Sequence, residues 1–287
     1  DRMRVRSQDL LRLLANTSER LTNKINKQKA ELEQCAKREE LRLYGELISA
    51  NLYRLEKGQG TAELENFYEE GMPLVRITLD PLLTPNQNAQ KYFKEYRKAR
   101  TAEEKLTEQI SQAEEELLYL DSVLEELSRA ETERDLSEIR EELMGQGYVR
   151  VPRGKKQKAP ASAAPWKFRS SDGFTILVGR NNRQNDKLTM KQASNNDVWF
   201  HTKNIPGSHT ILVTEGREPT ETAIREAACL AAWHSRGRDS SQVPVDYTQV
   251  RHVSKPNGAK PGMVIYVNNN TLYVTPNQET VEHLKES

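Results

Sequence analysis

Cysteine, aromatic residues and long apolar runs are all scarce in this chain of 287 residues. The two cysteines, Cys35 and Cys229, both fall in helical patterns, which argues against a disulfide framework and a cysteine-rich zinc site. No stretch approaches the roughly 20 consecutive apolar residues that cross a bilayer, and no charged-then-apolar leader is read at the start. A soluble, cytoplasmic protein without membrane insertion is therefore expected. Neither an HExxH pair nor a Gly-x-Ser-x-Gly elbow occurs, which removes the commonest signatures of metalloproteases and serine hydrolases. Aromatics make up only 6% and hydrophobic residues 36%, against 30% charged. That composition is too polar for one compact globule of this length but far from a disordered one, so an elongated part and a globular part are expected.

Net charge is low as well, at +1, but the total conceals a division. Residues 1–147 carry 23 basic and 30 acidic side chains, whereas residues 148–287 carry 20 and 12. A basic second half favours a polyanionic partner.

The first half contains two heptad stripes. Leu11, Leu14, Ser18, Leu21, Ile25, Leu32 and Cys35 recur in steps of three and four, broken only by Gln28, and Leu106, Ile110, Ala113, Leu117, Leu120, Leu124 and Leu127 form a second series. Residues 1–38 hold 10 basic and 5 acidic groups, and residues 101–147 hold 4 and 15. Opposite signs flanking one seam predict an antiparallel coiled coil in which paired residue numbers sum to about 138, an arm of roughly 40 Å. Between the stripes, Glu39–Lys57 has helical spacing, Met72–Leu79 alternates as a short strand, and Asn88–Arg100 returns to helix. Tyr92, Phe93 and Tyr96 there are expected to pack against the first helix rather than form an exposed stacking platform.

After a short helix at Asp135–Met144, the run from Gly145 to Pro165 is rich in Gly, Pro, Ala and Lys and reads as a linker, so a variable domain orientation is expected. From Trp166 onward short β-rich runs appear at 174–178, 198–202, 210–214, 243–253, 263–267 and 271–275, the last two expected to form a hairpin across Asn268–Asn270. Helices are predicted at Asp186–Ala193 and Glu221–Ser235. The predicted architecture is multidomain: an antiparallel α-helical coiled-coil arm with a small α/β tip module, followed by an α+β globular domain. Its divisions are 1–37 (first coiled-coil helix), 38–97 (middle or tip module), 98–147 (second coiled-coil helix and short following helix), 148–165 (linker) and 166–287 (α+β domain).

Chemistry concentrates in Asp197-Val-Trp-Phe-His201 and Pro206-Gly-Ser-His209. On a strand, Trp199 and His201 share one face and Phe200 takes the other, which places aromatic or imidazole surface at the exterior or in a cleft. The Pro-Gly-Ser turn offers backbone N–H groups to an anion, and the basic loop from Lys255 to Gly262 could seat a phosphate. The candidate RNA-contact residues are Arg180, Arg183, Lys187, Trp199, His201, Ser208, His209, Lys255 and Lys260, with Lys191, Lys203 and Arg251 adding positive charge. Aromatics interleaved with cations suit single-stranded or structured RNA better than duplex DNA, since no recognition helix is evident. Core packing remains the competing explanation for the aromatic strand. An enzyme using Asp197, His201 and His209 is the least favoured reading. No cofactor or metal is expected.

The segments Ser171–Asp186 (SDGFTILVGRNNRQND), Asp197–His201, Pro206–His209 and Lys260-Pro-Gly262 resemble the NFACT-R domain. Ile77-Thr-Leu-Asp-Pro81, Asn88-Ala-Gln90 and Tyr92-Phe-Lys94 resemble the coiled-coil and middle region of the same family. The resemblance implies that the chain is a C-terminal fragment, beginning after the family's N-terminal NFACT domain. It further implies a non-enzymatic role in ribosome-associated quality control. The full-length protein would bind the obstructed large ribosomal subunit, with the arm reaching toward the stalk base, and recruit tRNA, so that alanine is added to stalled chains without mRNA. Gram-positive members are often called fibronectin/fibrinogen-binding proteins. The alternative is therefore an adhesin that binds fibronectin or fibrinogen, with secondary exposure at the cell surface.

Overall fold

The computed structural model of the chain describes residues 2–154 and 162–285. Lys155, Lys156, Lys158, Pro160 and Ala161 of the predicted linker lie outside the described residues. The chain divides into two compact units, Arg20–Glu115 and the combination of Asp1–Glu19 with Glu116–Ser287. The helices α1 (Arg2–Cys35) and α3 (Pro85–Arg129) contribute to both.

Within Arg20–Glu115, α1 and α3 run antiparallel. Gln28 Nε2 donates to Gln109 Oε1 at 3.1 Å, Lys29 Nζ lies 3.0 Å from a Glu114 oxygen, and Arg38 pairs with Glu103. The Gln28–Gln109 pair sums to 137, the Arg38–Glu103 pair to 141 and the Lys29–Glu114 pair to 143, against the expected 138. Ile25, Cys35, Leu106, Ile110 and Ala113 are buried along these segments. Gln28 is buried too, so the one polar interruption of the seam is matched by a polar residue opposite.

The same unit holds α2 (Arg38–Ala50) and a hairpin of β1 (Thr61–Glu65) and β2 (Leu74–Thr78). Strand β1 was not anticipated, because Thr-Ala-Glu-Leu-Glu buries only Ala62 and Leu64 and reads as polar. Its core joins Leu47, Ile48, Leu64, Ile77 and Ala89, with Tyr92 and Phe93 packed against it. These aromatics meet α2: Tyr44 and Tyr92 contact edge to face at 5.4 Å, and a Cβ on Gly45 would lie 2.8 Å from the Phe93 ring. Helix α3 begins with a capping box, Gln87 N donating to Thr84 Oγ1 and Thr84 N to Gln87 Oε1, with Pro85 at the first helical position. It then continues through residues 97 and 98 without a break.

The other unit is built on a six-stranded antiparallel sheet in the order β10-β7-β5-β6-β4-β3. Its strands are β3 (Trp166–Arg169), β4 (Thr175–Val178), β5 (Val198–Thr202), β6 (Thr210–Val213), β7 (Val243–Gln249) and β10 (Asn270–Val274). A separate pair, β8 (Val253–Ser254) and β9 (Ile265–Tyr266), completes the β structure. The expected hairpin across Asn268–Asn270 is therefore corrected: β9 pairs with β8 and β10 with β7. Thr248 Oγ1 donates to Val267 O at 3.0 Å, anchoring the segment between them.

Side-chain alternation on the strands builds two cores. Ile176, Val178, Val198, Phe200 and Leu212 face α6 (Glu221–Trp233) and α7 (Gln278–Leu284). On the opposite side, Leu177, Trp199, Ile211 and Val213 cluster with Leu188, Val250 and Val253. The alanines of α6 are fully buried, small enough to bring that helix close to the sheet. The predicted helix at Asp186–Ala193 is instead α5 (Asn182–Lys187) followed by a π-helical turn at Leu188–Gln192.

The expectation of a freely oriented basic domain is also corrected. The end of α3 and helix α4 (Glu133–Gly145) belong to the same compact unit as the sheet. Arg236 makes a two-pronged bond to Asp121 at 2.6 and 2.8 Å. Arg129 donates to Ser208 Oγ at 3.1 Å and His234 O at 2.5 Å, while Asn181 donates to Glu138 and Arg183 pairs with Glu141. Burial of Tyr119, Leu120, Ser122, Val123, Glu126 and Leu127 covers more than one face of α3, as a helix packed on two sides requires. Some of the acidic excess of residues 101–147 thus answers arginines of the sheet domain rather than α1 alone.

Candidate nucleic-acid interface

Alternation along β5 decides the fate of its aromatic motif. Phe200 enters the core beneath α6, while Trp199 and His201 share the other face with rings nearly parallel and centroids 5.8 Å apart. Trp199 is only 1% exposed; Tyr266 and His209 cover it at 4.7 and 5.4 Å. It forms no open stacking platform.

His209 is a fastener. Its Nδ1 meets the Thr189 hydroxyl at 2.8 Å and its Nε2 meets Gly262 O at 3.0 Å. A neutral ring that donates through Nε2 and accepts at Nδ1 satisfies both contacts. Burial pushes the imidazole down to about 3, helped by the neighbouring His201. His201 has both ring nitrogens near carbonyls, Nδ1 2.7 Å from Thr202 O and Nε2 3.2 Å from Gly207 O. A neutral ring can donate to only one of them, and burial holds the pKa below its usual value although both carbonyls favour the cation.

The anion cradle expected at Pro206–His209 has its amides committed elsewhere. Ser208 N donates to His234 O at 3.0 Å, His209 N donates to Asn185 Oδ1 at 3.2 Å, and both residues are 1% exposed. Lys255 is equally committed: its ammonium pairs with Asp186 and donates to Lys260 O at 2.7 Å and Met263 O at 3.0 Å. Lys260 Nζ lies over the rings of Tyr119 and Tyr148, 5.7 and 5.3 Å from their centroids. The Lys255–Gly262 loop is thereby strapped to the helices.

The polar motif Arg180–Asp186 acts as a set of connectors. Arg180 stacks on Trp166 at 4.8 Å and donates to Ala164 O. Asn181 caps α5 by accepting from Gln184 N at 2.9 Å. Asn182 donates to Ser122 Oγ at 3.0 Å. Among the nine candidates, Lys187 remains exposed at the end of α5; Arg183 is exposed but engaged with Glu141, and exposed Lys191 and Lys203 add to the outward charge. Asp197 makes no contact with either histidine: its carboxylate accepts from Ser194 N at 2.8 Å and Thr214 N at 2.9 Å. Among the described residues no group of three or more His, Cys, Asp or Glu could hold a metal ion.

A cleft of about 350 Å³ opens beside this cluster, with Trp199, His201, Asn204, Gly207, Met263 and Tyr266 in its walls and Leu118 and Asp121 of α3 also lining it. Tyr266 and Leu118 carried no signal in the sequence, because their position depends on β9 pairing with β8 and on α3 packing against the sheet domain. Behind the Ser122–Asn182 contact lie two buried carboxyls, Glu126 and Glu142. Glu142 Oε2 accepts from Tyr119 Oη at 2.6 Å, and burial raises the pKa of both acids. Asn182, at the start of α5, and Arg129 partly offset the charge of Glu126.

Comparison with known proteins agrees over the full length. Residues 1–162 match the family model of the NFACT N-terminal and middle domains, and residues 165–268 match that of the NFACT protein RNA binding domain. Proteins named Rqc2 homolog RqcH are similar: that of Bacillus subtilis is 47% identical over 100% of this chain, and that of Streptococcus suis is 38% identical over 99%. The chain spans about half of those relatives, 50% and 51%. The solved C-terminal part of the fibronectin/fibrinogen-binding protein of Streptococcus suis aligns with a TM-score of 0.80 at 34% identity, covering 100% of both chains. Arrangement and sequence agree on one conclusion: the chain belongs to the NFACT family.

Proposed function

We propose that this chain is the non-enzymatic RNA- and ribosome-binding half of a quality-control factor that works in the cytoplasm. In this reading α1 and α3 form an antiparallel coiled-coil arm, and the sheet domain grips RNA. Together they help the full-length protein hold the obstructed large ribosomal subunit and a tRNA while alanine is added to the stalled chain. The observation that carries the reading is the match of residues 165–268 to an RNA-binding domain, within a half of the chain that has 20 basic and 12 acidic side chains. Relatives named Rqc2 homolog RqcH support it. Engagement of His201, His209 and Asp197 in internal hydrogen bonds speaks against a catalytic role for them.

Co-sedimentation with purified large subunits over a salt series tests the proposal. Binding should weaken steeply with salt, and Lys187→Glu combined with Lys203→Glu should flatten the log–log slope by roughly one to two. Absence of binding at low salt would reject it. Similarity to a protein titled fibronectin/fibrinogen-binding keeps the adhesin reading as the second one. Fibronectin capture that persists at high salt and is not displaced by RNA would favour that alternative.

A further inference from the structure

A second cavity, of about 480 Å³, lies at the end of the sheet where β5 begins, β7 ends and β10 begins, with the turn before α6 closing one side. Its volume falls within the roughly 300–1,000 Å³ typical of small-molecule sites. Half-buried Pro219, Ile224 and Tyr247 supply apolar surface, and the Tyr247 ring is steadied by stacking on Phe200 with centroids 5.5 Å apart. Around them stand the exposed carboxamides Gln249, Asn268 and Asn270. Unlike Ser208, His209 and Lys255, these three side chains make no hydrogen bond among the described residues, so their donors and acceptors stay open to a ligand. Their backbone is nonetheless held in place: Thr248 Oγ1 lies 3.0 Å from Val267 O and 3.3 Å from Asn268 O, and Asn270 pairs with Tyr247 at the start of β10. The lining has one arginine, Arg217, whose guanidinium lies 4.0 Å over the Phe174 ring and whose Nε donates to Thr214 O at 3.3 Å. Its charge acts on Asp172 and is matched by Glu218, the one carboxylate of the lining. The mouth is therefore close to neutral and is not built to hold a phosphate by charge. A carboxamide donates and accepts at once, which suits the mixed donors and acceptors on the edge of a nucleobase.

We infer that this cavity at the end of the sheet is a subsite for one unstacked RNA base, its edge read by Gln249, Asn268 and Asn270 and its ring packed against Pro219, Ile224 and Tyr247. The inference rests on the RNA-binding reading above and adds a division of labour to it. Exposed lysines such as Lys187 and Lys203 attract the backbone, while the neutral cavity takes one splayed base. Reading the edges of unstacked bases is how proteins recognise single-stranded RNA. The structure also gives the Asn268–Asn270 run a role other than the hairpin turn its sequence suggests: with β9 and β10 paired to different strands, its carboxamides are left at the cavity mouth.

The test uses the whole chain and matched single-stranded RNAs, one intact and a set each with one abasic position, titrated by fluorescence anisotropy at moderate salt. Intact RNA should bind roughly tenfold more tightly than the best-placed abasic probe. Gln249→Ala combined with Asn270→Ala removes two exposed side chains that make no hydrogen bond within the fold, and Gln249→Trp fills the mouth from an exposed position. Each should erase the difference and leave binding of the abasic probe as it was. Equal binding of intact and abasic RNA by the wild type, or a preference unchanged in both variants, would overturn the subsite and leave RNA binding standing. Complete absence of RNA binding would overturn both. Competition by free glucose or N-acetylglucosamine at lower concentration than by adenosine or uridine would overturn the base in favour of a glycan.

Discussion

Glu126 offers the sharpest quantitative test of how the helices are docked on the sheet domain. It is 5% exposed, the second buried acid, Glu142, adds repulsion, and Arg129 and the Asn182 backbone offset only part of the burial cost. Its folded pKa is raised above the ordinary 4.5, so the folded protein holds a proton that the unfolded chain releases. The corresponding stability is fully present below about pH 4.5 and is lost as pH rises through the folded pKa, at up to about 1.36 kcal/mol per pH unit. Replacing Glu126 with glutamine keeps the shape and removes the titration. The stability of Glu126→Gln relative to wild type should therefore increase as pH rises above about 4.5. Any constant cost of burying the new amide leaves that slope unchanged. Urea unfolding followed by tryptophan fluorescence is a suitable assay, because Trp166, Trp199 and Trp233 lie in the same compact unit as Glu126. Parallel pH profiles for the two proteins would refute the argument.

Three further predictions follow from the loop and its fastenings. His209→Ala removes contacts to Thr189 and Gly262 and the packing of a buried ring, and should cost about 3–5 kcal/mol in urea unfolding; a loss below about 1 kcal/mol would contradict the fastener role. His209 and His234 are both pushed down to about 3, so the stability they contribute is present above pH 6.5 and is lost as pH falls toward 3. Their ring proton resonances should stay in the neutral position down to pH 5, and titration near 6.5 would refute this. Gly262 has φ +78° and a Cβ there would lie 2.3 Å from Asn182 Oδ1, whereas Gly258 has φ +77° and open space. Gly262→Ala should accordingly destabilise by about 1–3 kcal/mol more than Gly258→Ala, and equal effects on the urea midpoint would count against the strapped loop.

Docking gives the charge division a different meaning from that suggested by counting alone. Asp121, Glu138 and Glu141 belong to the acidic helices, and each meets a residue of the sheet domain, Arg236, Asn181 and Arg183 respectively. Part of the positive charge of residues 148–287 is therefore spent within the protein. The charge left for a polyanion is smaller than the count implies and rests on exposed side chains such as Lys187, Lys191 and Lys203.

Periodicity alone was enough to locate α1, most of α3, α6 and the strands β4 to β7, because each buries one face and its spacing records which face. It also placed Trp199 and His201 opposite Phe200, and the quoted motifs were enough to suggest the family. Tertiary structure alone decided the partners. Short segments such as β9 and β10 carry the same local signal whichever strand they join, so their pairing to β8 and β7 was hidden. The exposure of a polar residue is likewise undetermined by its own identity. Ser208, His209 and Lys255 read as surface contacts, yet each satisfies its hydrogen bonds against residues distant in sequence: Arg129, Gly262 and Asp186. Desolvating such groups is tolerable only when those partners are in place, and only the assembled fold supplies them.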